Sequence, residues 1–205
     1  AIIAGLLGSM MSKLILLIIR WSATFRFTWY RILYIVGCGL VIAATAYFVG
    51  DTAVGSGKEI MTETLFGNEK YLPWYYPFLR IQGLILSFTV GGAGGVFAPS
   101  LSAGASVGSV FAGFLDLNAS DSNLLILSGM VAFLTGVTRT PFTAAILVLE
   151  MTDRHNVIFP LMLAGMFGGL ISLLIDRRSF YDRLKVQYLK EVDVEPTKPA
   201  QSTSG

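Results

Sequence analysis

The chain of 205 residues is 54% hydrophobic and 14% charged, with a mean hydropathy of +0.66. Charged residues make up about a quarter of an ordinary soluble chain, so this composition predicts an integral membrane protein. The net charge of +2 and the lack of a basic stripe with aromatics exclude a nucleic-acid-binding protein. The single Cys38 and the single His155 exclude a disulfide scaffold and a Cys/His metal cluster.

The sequence begins at Ala1, in the middle of an apolar run, without a methionine, a charged n-region or a cleavage site. This start is not typical of a signal peptide. We therefore expect the chain to be a fragment whose upstream part is missing or lies on another polypeptide.

Two long apolar segments open the chain. Ala1 to Ile19 is long enough to cross a bilayer, and Ile32 to Val49 is a second candidate. The connector between them, Arg20 to Arg31, is polar and carries five aromatic residues, which is typical of a membrane–water interface. We predict two membrane-spanning helices joined at an interface.

A charged segment follows, Asp51 to Lys70, and within it Gly55–Lys58 reads GSGK. A phosphate-binding Walker loop needs glycine at the position of Thr52 and serine or threonine at the position of Glu59. This mismatch excludes a Walker ATP site. We predict instead a short amphipathic helix over Lys58–Leu65.

Arg80 is a lone cation at the start of the next apolar run. Such an arginine either extends its charged head to the membrane interface or pairs with an acid, and the first arrangement is the commoner. We therefore expect Arg80 to reach the interface.

The remaining apolar segments differ in length. Leu101 to Leu115 and Leu124 to Val137 are too short for ordinary spans, and the second is ended by Thr138–Pro141. Val157 to Ile175 is long enough to span the bilayer. A mixture of full and broken helices is typical of transporters, because irregular backbone survives at membrane depth only beside a cavity or inside protein.

The glycine stretch Gly91–Pro99 reads GGAGGVFAP and joins two apolar runs. It has no polar side chain, so only its backbone can bind a ligand. Pro99 lies just inside the next helix, where its missing N–H does no harm. Unpaired amides and the positive end of a helix dipole predict an anion site. The alternative is a simple packing bend, since glycine is common in membrane helices.

No Ser/His/Asp grouping, H-E-x-x-H motif or pair of acids at ligand spacing occurs in the sequence. We predict a protein that is not an enzyme, with no catalytic residue, no metal site and no cofactor.

Two motifs resemble those of the CLC family of chloride channels and chloride/proton exchangers. Gly95–Pro99 (GVFAP) resembles the family's G-x-F-x-P signature, and Arg139–Thr143 (RTPFT) runs into Leu147–Asp153 (LVLEMTD) as in its R-x-P-x-T…LEMT segment. The two blocks lie in the order and at the spacing of the second half of the family's membrane domain.

The resemblance implies an all-α integral membrane fold, a bundle of tilted and discontinuous helices that forms one half of an inverted repeat. It would cover residues 1–189, followed by a polar tail over 190–205 whose composition predicts disorder. The partners implied are the lipid bilayer, the N-terminal half of the same transporter and a second copy in a homodimer.

The resemblance also implies the ligand and its site. Chloride, the bound substrate, would be held by the backbone at Gly95, Val96 and Phe97 and by the hydroxyl of Tyr181. On residue type alone, Tyr181 is typical of an interfacial aromatic. A bulky β-branched residue at Gly95 is expected to strain the turn and block close backbone approach.

The serine loop and the gating-glutamate loop of the family's first half are absent from this sequence. The choice between a channel and an exchanger that also moves protons therefore stays open. A non-conducting scaffold or dimerisation fragment that needs its missing half is the alternative. No cytoplasmic regulatory domain follows Leu189 here, so we expect a multi-pass protein of a prokaryotic inner membrane.

Overall fold

A computed structural model describes residues 1–23, 28–50, 55–67, 70–90, 95–153, 155–175 and 179–186. The described residues form helices joined by short turns and include no strand. The α-helices are α1 (Ile2–Ala23), α2 (Thr28–Val49), α3 (Lys58–Phe66), α4 (Tyr76–Thr89), α5 (Phe97–Phe114), α6 (Ala119–Thr138), α7 (Pro141–Thr152) and α8 (Ile158–Ile175). A 3₁₀ turn, His155–Val157, precedes α8, and residues 180–186 form a last helical segment.

Five helices are long and apolar enough to cross a membrane, namely α1, α2, α5, α6 and α8. The other three have 9 to 14 residues and are too short to span a bilayer. This confirms the predicted all-α membrane fold with its mixture of full and short helices. The short helix α3 lies where the sequence predicted it, one residue longer.

The predicted lengths of α5 and α6 are wrong. α5 has 18 residues and starts at Phe97, and α6 has 20 residues and starts at Ala119. Polar residues before Leu124 form the first turn of α6, which contains Asp121. An acidic side chain there is stabilised by the positive end of the helix dipole, so a polar run can belong to a spanning helix.

The connector predicted for residues 20–31 is also too long. α1 continues to Ala23 with Arg20 in its last turn, and α2 already starts at Thr28. A cation in the last turn of a helix interacts favourably with the dipole and the unpaired carbonyls. The connector therefore reduces to residues 24–27, which lie outside the described residues.

The break predicted between α6 and α7 is confirmed. Arg139 ends α6 in the left-handed conformation, with φ of 66°, and Pro141 is the first residue of α7. A proline in the first turn needs no N–H, so the chain restarts a helix immediately. Residues 139–141 lie within the segment that the sequence identified as Arg139–Thr143.

The centre of the bundle is the crossing of α5 over α6. A Cβ on Gly104 would lie 2.5 Å from the carbonyl oxygen of Gly129, and a Cβ on Gly129 would meet the carbonyl oxygen of Gly104. Only glycine on both helices permits this backbone approach. Around the crossing, Phe133 and Met130 of α6 are completely buried.

A polar cluster joins α1, α6 and α8. The hydroxyl oxygens of Ser9 and Ser172 lie 2.6 Å apart, and both hydroxyls donate to the carbonyl oxygen of Gly136, at 3.2 and 3.0 Å. Nearby, Lys13 of α1 donates from Nζ to the carbonyl oxygen of Ile175, the last residue of α8, at 2.7 Å. These bonds fix the three helices relative to each other.

The prediction for Arg80 is wrong. Its side chain does not extend to the surface: only 4% of the residue is exposed, and Nη1 donates to the carbonyl oxygen of Gly55 at 2.9 Å. The reason is tertiary packing, since Arg80 lies on the buried face of α4 against the loop before α3. A neighbouring carbonyl offers a partner that sequence spacing does not reveal.

Candidate anion-binding site

The first turn of α5 begins with bare backbone. Val96 is the N-cap residue and no side chain caps the helix. The first bond of the turn runs from the Ser100 amide to the Val96 carbonyl oxygen, at 3.0 Å. The amides of Phe97 and Ala98 form no hydrogen bond to another described residue. These donors and the positive end of the helix dipole favour a negatively charged ligand.

The helix end carries no competing negative charge, since the first turn of α5 contains no acidic residue. Val96 is buried, with 3% exposure, and packs in an apolar cluster with Ala103 and Phe180, whereas Phe97 is 40% exposed. The backbone at the start of α5 therefore lies at the edge of the core. Val96 packs into the core, and Phe97 is accessible from outside.

Gly95 is accessible as well. It is exposed, its φ lies outside the left-handed region, and a Cβ built on it would have no heavy atom of another described residue within 4 Å. The strain predicted for a substitution at Gly95 is therefore wrong, because the backbone does not require glycine there. Gly91–Gly94, the rest of the glycine stretch, lies outside the described residues.

Tyr181 reaches the same helix end from the last helical segment. Its ring stacks on the ring of Phe97, with 6.3 Å between centroids and an angle of 27° between planes. The neighbouring Phe180 is buried and packs edge-to-face on Phe88 of α4 at 5.5 Å. Phe180 thus anchors the segment and sets Tyr181 beside the first turn of α5.

The Tyr181 hydroxyl forms no hydrogen bond with another described residue. Partial burial raises the pKa of the Tyr181 phenol above its ordinary value. The group therefore keeps its proton at physiological pH and remains a neutral O–H donor. A hydroxyl and bare amides on adjoining elements are hydrogen-bond donors that suit an anion and carry no full positive charge.

The structure brings three of the four predicted residues together, since Val96 and Phe97 open α5 and Tyr181 packs on Phe97. Gly95 directly precedes them. Their roles as ion ligands stay predictions. The sequence did not predict the ring contact between Phe97 and Tyr181, because no local pattern links residues so far apart. The one sequence feature that indicates packing there is the adjacent aromatic pair Phe180–Tyr181.

Together, the full and interrupted spanning helices define the class of protein: a multi-pass integral membrane protein of the discontinuous-helix type. The family model described as voltage gated chloride channel matches residues 1–173. The chain belongs to this family. Gly95, Val96 and Phe97 lie inside the matched residues, and Tyr181 lies beyond them.

A curated bacterial protein is also similar to the chain. It is the H(+)/Cl(-) exchange transporter ClcA of Salmonella arizonae, 28% identical over 156 residues. The match covers 74% of this chain and 33% of that protein, so the chain spans about a third of the length of its relative. The bacterial relative and the apolar helices agree with a multi-pass protein of a prokaryotic inner membrane.

Proposed function

We propose that the chain forms part of a transmembrane chloride pathway. Chloride binds at the first turn of α5, to the backbone of Gly95, Val96 and Phe97, and to the hydroxyl of Tyr181. The observation that carries this proposal is the stacking of Tyr181 on Phe97, because the Tyr181 hydroxyl and the Phe97 amide form no hydrogen bond to another described residue.

The chemistry of these donors suits transport. Chloride in a membrane needs fixed dipoles in place of its lost water. Amides and a neutral phenol provide these dipoles without the strength of a lysine or arginine, so the ion binds firmly enough to be taken up and weakly enough to be released. The absence of an acidic residue from the first turn of α5 removes a source of repulsion.

Family membership supports chloride as the ion, and the similar exchange transporter supports coupling to protons. Channel and exchanger differ in one measurable respect. In liposomes that contain the natural full-length protein, an exchanger moves chloride uphill when a proton gradient is imposed. A channel lets chloride run down its own gradient only.

The experiment is chloride efflux with and without a proton gradient. We expect flux in at least one condition. A protein that is folded and inserted but gives no flux in either condition would contradict the proposal and support the non-conducting scaffold.

We further propose that the chain works in contact with the rest of a transporter and as a homodimer. In α2 only 6% of the spanning window is buried within the chain, although the helix is strongly apolar. α8 also exposes large side chains, among them Phe159 and Leu174. Lipid and further protein would cover these surfaces. The mass of the detergent-solubilised natural protein, corrected for bound detergent, tests the dimer, and a monomeric mass would contradict it.

A further inference from the structure

The buried Arg80 is not used by the proposed chloride site. Its Nη1 donates to the carbonyl oxygen of Gly55, and its Nε is buried without a hydrogen-bond partner. No acidic side chain among the described residues forms an ion pair with it. The guanidinium, on a residue with 4% exposure, therefore has no carboxylate in contact with it among the described residues.

The other end of Arg80 lies against the start of α3. Its Nη2 would be 2.7 Å from a Cβ on Gly57, the N-cap residue of α3, whose φ is 78°. The same Cβ would overlap the side chain of Ser102 of α5, so Gly57, Arg80 and Ser102 pack closely together. Glycine here therefore permits both the left-handed turn and the approach of the arginine.

In the first turn of α3, the amide of Lys58 lies 3.5 Å from the hydroxyl oxygen of Ser56, and two further amides have no partner among the described residues. No side chain caps this nine-residue helix, and the amides of Glu59 and Ile60 form no hydrogen bond to another described residue. The hydroxyl of Ser102, which packs against Gly57, donates to the carbonyl oxygen of Pro99 at 2.9 Å. Two kinds of donor, helix-end amides and a buried guanidinium, thus meet at one loop.

A buried charge is costly unless it is paired and hydrogen-bonded. The titratable groups that act on Arg80 electrostatically are Tyr76 and Glu59, and the exposed carboxylate of Glu59 forms no ion pair with Arg80. A mobile anion would complete the arrangement, because it could accept from Arg80 and from the first-turn amides together.

We infer that α3 and Arg80 form a second anion-binding site, for a monovalent halide such as chloride, separate from the first turn of α5. The two sites differ chemically. The site on α5 holds the ion with neutral dipoles, whereas the site on α3 uses a full positive charge. The inference does not depend on the proposed chloride function, because each site binds through its own donors.

The test is an anomalous-scattering map of the natural full-length protein crystallised in bromide, measured near the bromine absorption edge. We expect a bromide peak within hydrogen-bonding distance of the Arg80 guanidinium and the first-turn amides of α3. A peak beside Phe97 without one beside Arg80 would overturn the second site alone. A peak beside Arg80 without one beside Phe97 would support it and contradict the site on α5.

Variants assign the peak to Arg80. Arg80→Gln keeps a donor for Gly55 but removes the charge, so we expect the half-saturating bromide concentration at this site to rise about ten- to a hundredfold. Lys58→Gln is the matched control, because it removes an exposed cation from the same turn. It should change the value by less than about threefold. Equal effects of the two variants would contradict a specific role for Arg80.

Glu59→Gln keeps the inference testable if Arg80→Gln does not fold, since Glu59 is exposed. Removal of this negative charge should tighten bromide binding severalfold, while weaker binding or no change would contradict the site. Asp51 lies outside the described residues. Asp51→Asn should retain the peak, and a peak found only in this variant would identify Asp51 as the counter-charge of Arg80 and overturn the inference.

Discussion

The middle and the start of one helix show opposite environments. In the middle of α5, Ala103 and Ala105 have no exposed surface, and Gly104 packs against the backbone of α6. At the start of the same helix, Gly95 has open space around it and Phe97 is 40% exposed. Tight packing in the middle of α5 thus holds the helix in place, while the amides of its first turn stay accessible. The predictions below test each half of that division.

The largest effect is expected at the crossing of α5 and α6. Gly129→Val would place a branched side chain against the carbonyl oxygen of Gly104 and separate the helices. We expect a loss of about 3 kcal/mol of folding free energy, measured as a lower thermal midpoint in detergent.

Gly37→Ala is its control. Gly37 lies in α2, where a methyl group in place of its hydrogen would have no neighbouring heavy atom within 4 Å, and alanine favours a helix by up to about 1 kcal/mol. Equal thermal midpoints for Gly129→Val and the wild type would show that the crossing does not hold α5 in place.

The next effect is expected at Tyr181. Tyr181→Phe removes the hydroxyl but keeps the ring on Phe97, so chloride affinity should fall about tenfold or more while stability is retained. Tyr181→Ala also removes the stacking partner and should weaken binding further. Isothermal titration with chloride measures both, and wild-type affinity in Tyr181→Phe would remove Tyr181 from the site.

A smaller effect on chloride flux is expected at Gly95. The sequence predicts backbone strain as its cause, whereas the structure indicates crowding of the ion. Because a Cβ has room there, Gly95→Val should leave the thermal midpoint unchanged. Its side chain should nevertheless crowd the ion and lower chloride flux severalfold in liposomes, with Gly95→Ala closer to the wild type. Normal flux in Gly95→Val would count against a backbone site at this helix end.

The smallest effect concerns pH. Burial raises the pKa of Tyr181 above its ordinary value of 10.0, so the phenol stays protonated below that value and loses its proton only above it. The ratio of wild-type to Tyr181→Phe chloride affinity should therefore be constant from about pH 5 to about pH 9. A ratio that falls within this range would show that the phenol ionises there and contradict the role of a neutral donor.

The sequence predicted the features that depend on local chemistry. Pro141 and the residues before it predicted the break after α6, and the polar spacing of Lys58–Leu65 predicted α3. Composition predicted the membrane location. The G-x-F-x-P signature located the start of α5 within two residues of Gly95, because proline and bare amides mark a helix beginning.

Features that depend on tertiary contacts could not be predicted. Arg80 reads as an interfacial cation until the carbonyl oxygen of Gly55 is found beside it. The sequence indicates that Gly95 is required, but the structure shows room for a side chain there. For Gly104 the sequence indicates no special role, but a Cβ would overlap the backbone of α6. The residues next to each glycine in the sequence do not predict how closely another helix packs against it.

The hydrogen bond between Lys13 of α1 and Ile175 of α8 has a consequence for the segment that follows α8. An ammonium group in an apolar segment would be unfavourable alone, but here it closes the carbonyl end of α8. The described segment with Tyr181 follows α8 along the chain. At the proposed chloride site, this bond would link the position of the Tyr181 hydroxyl to a lysine in a different helix.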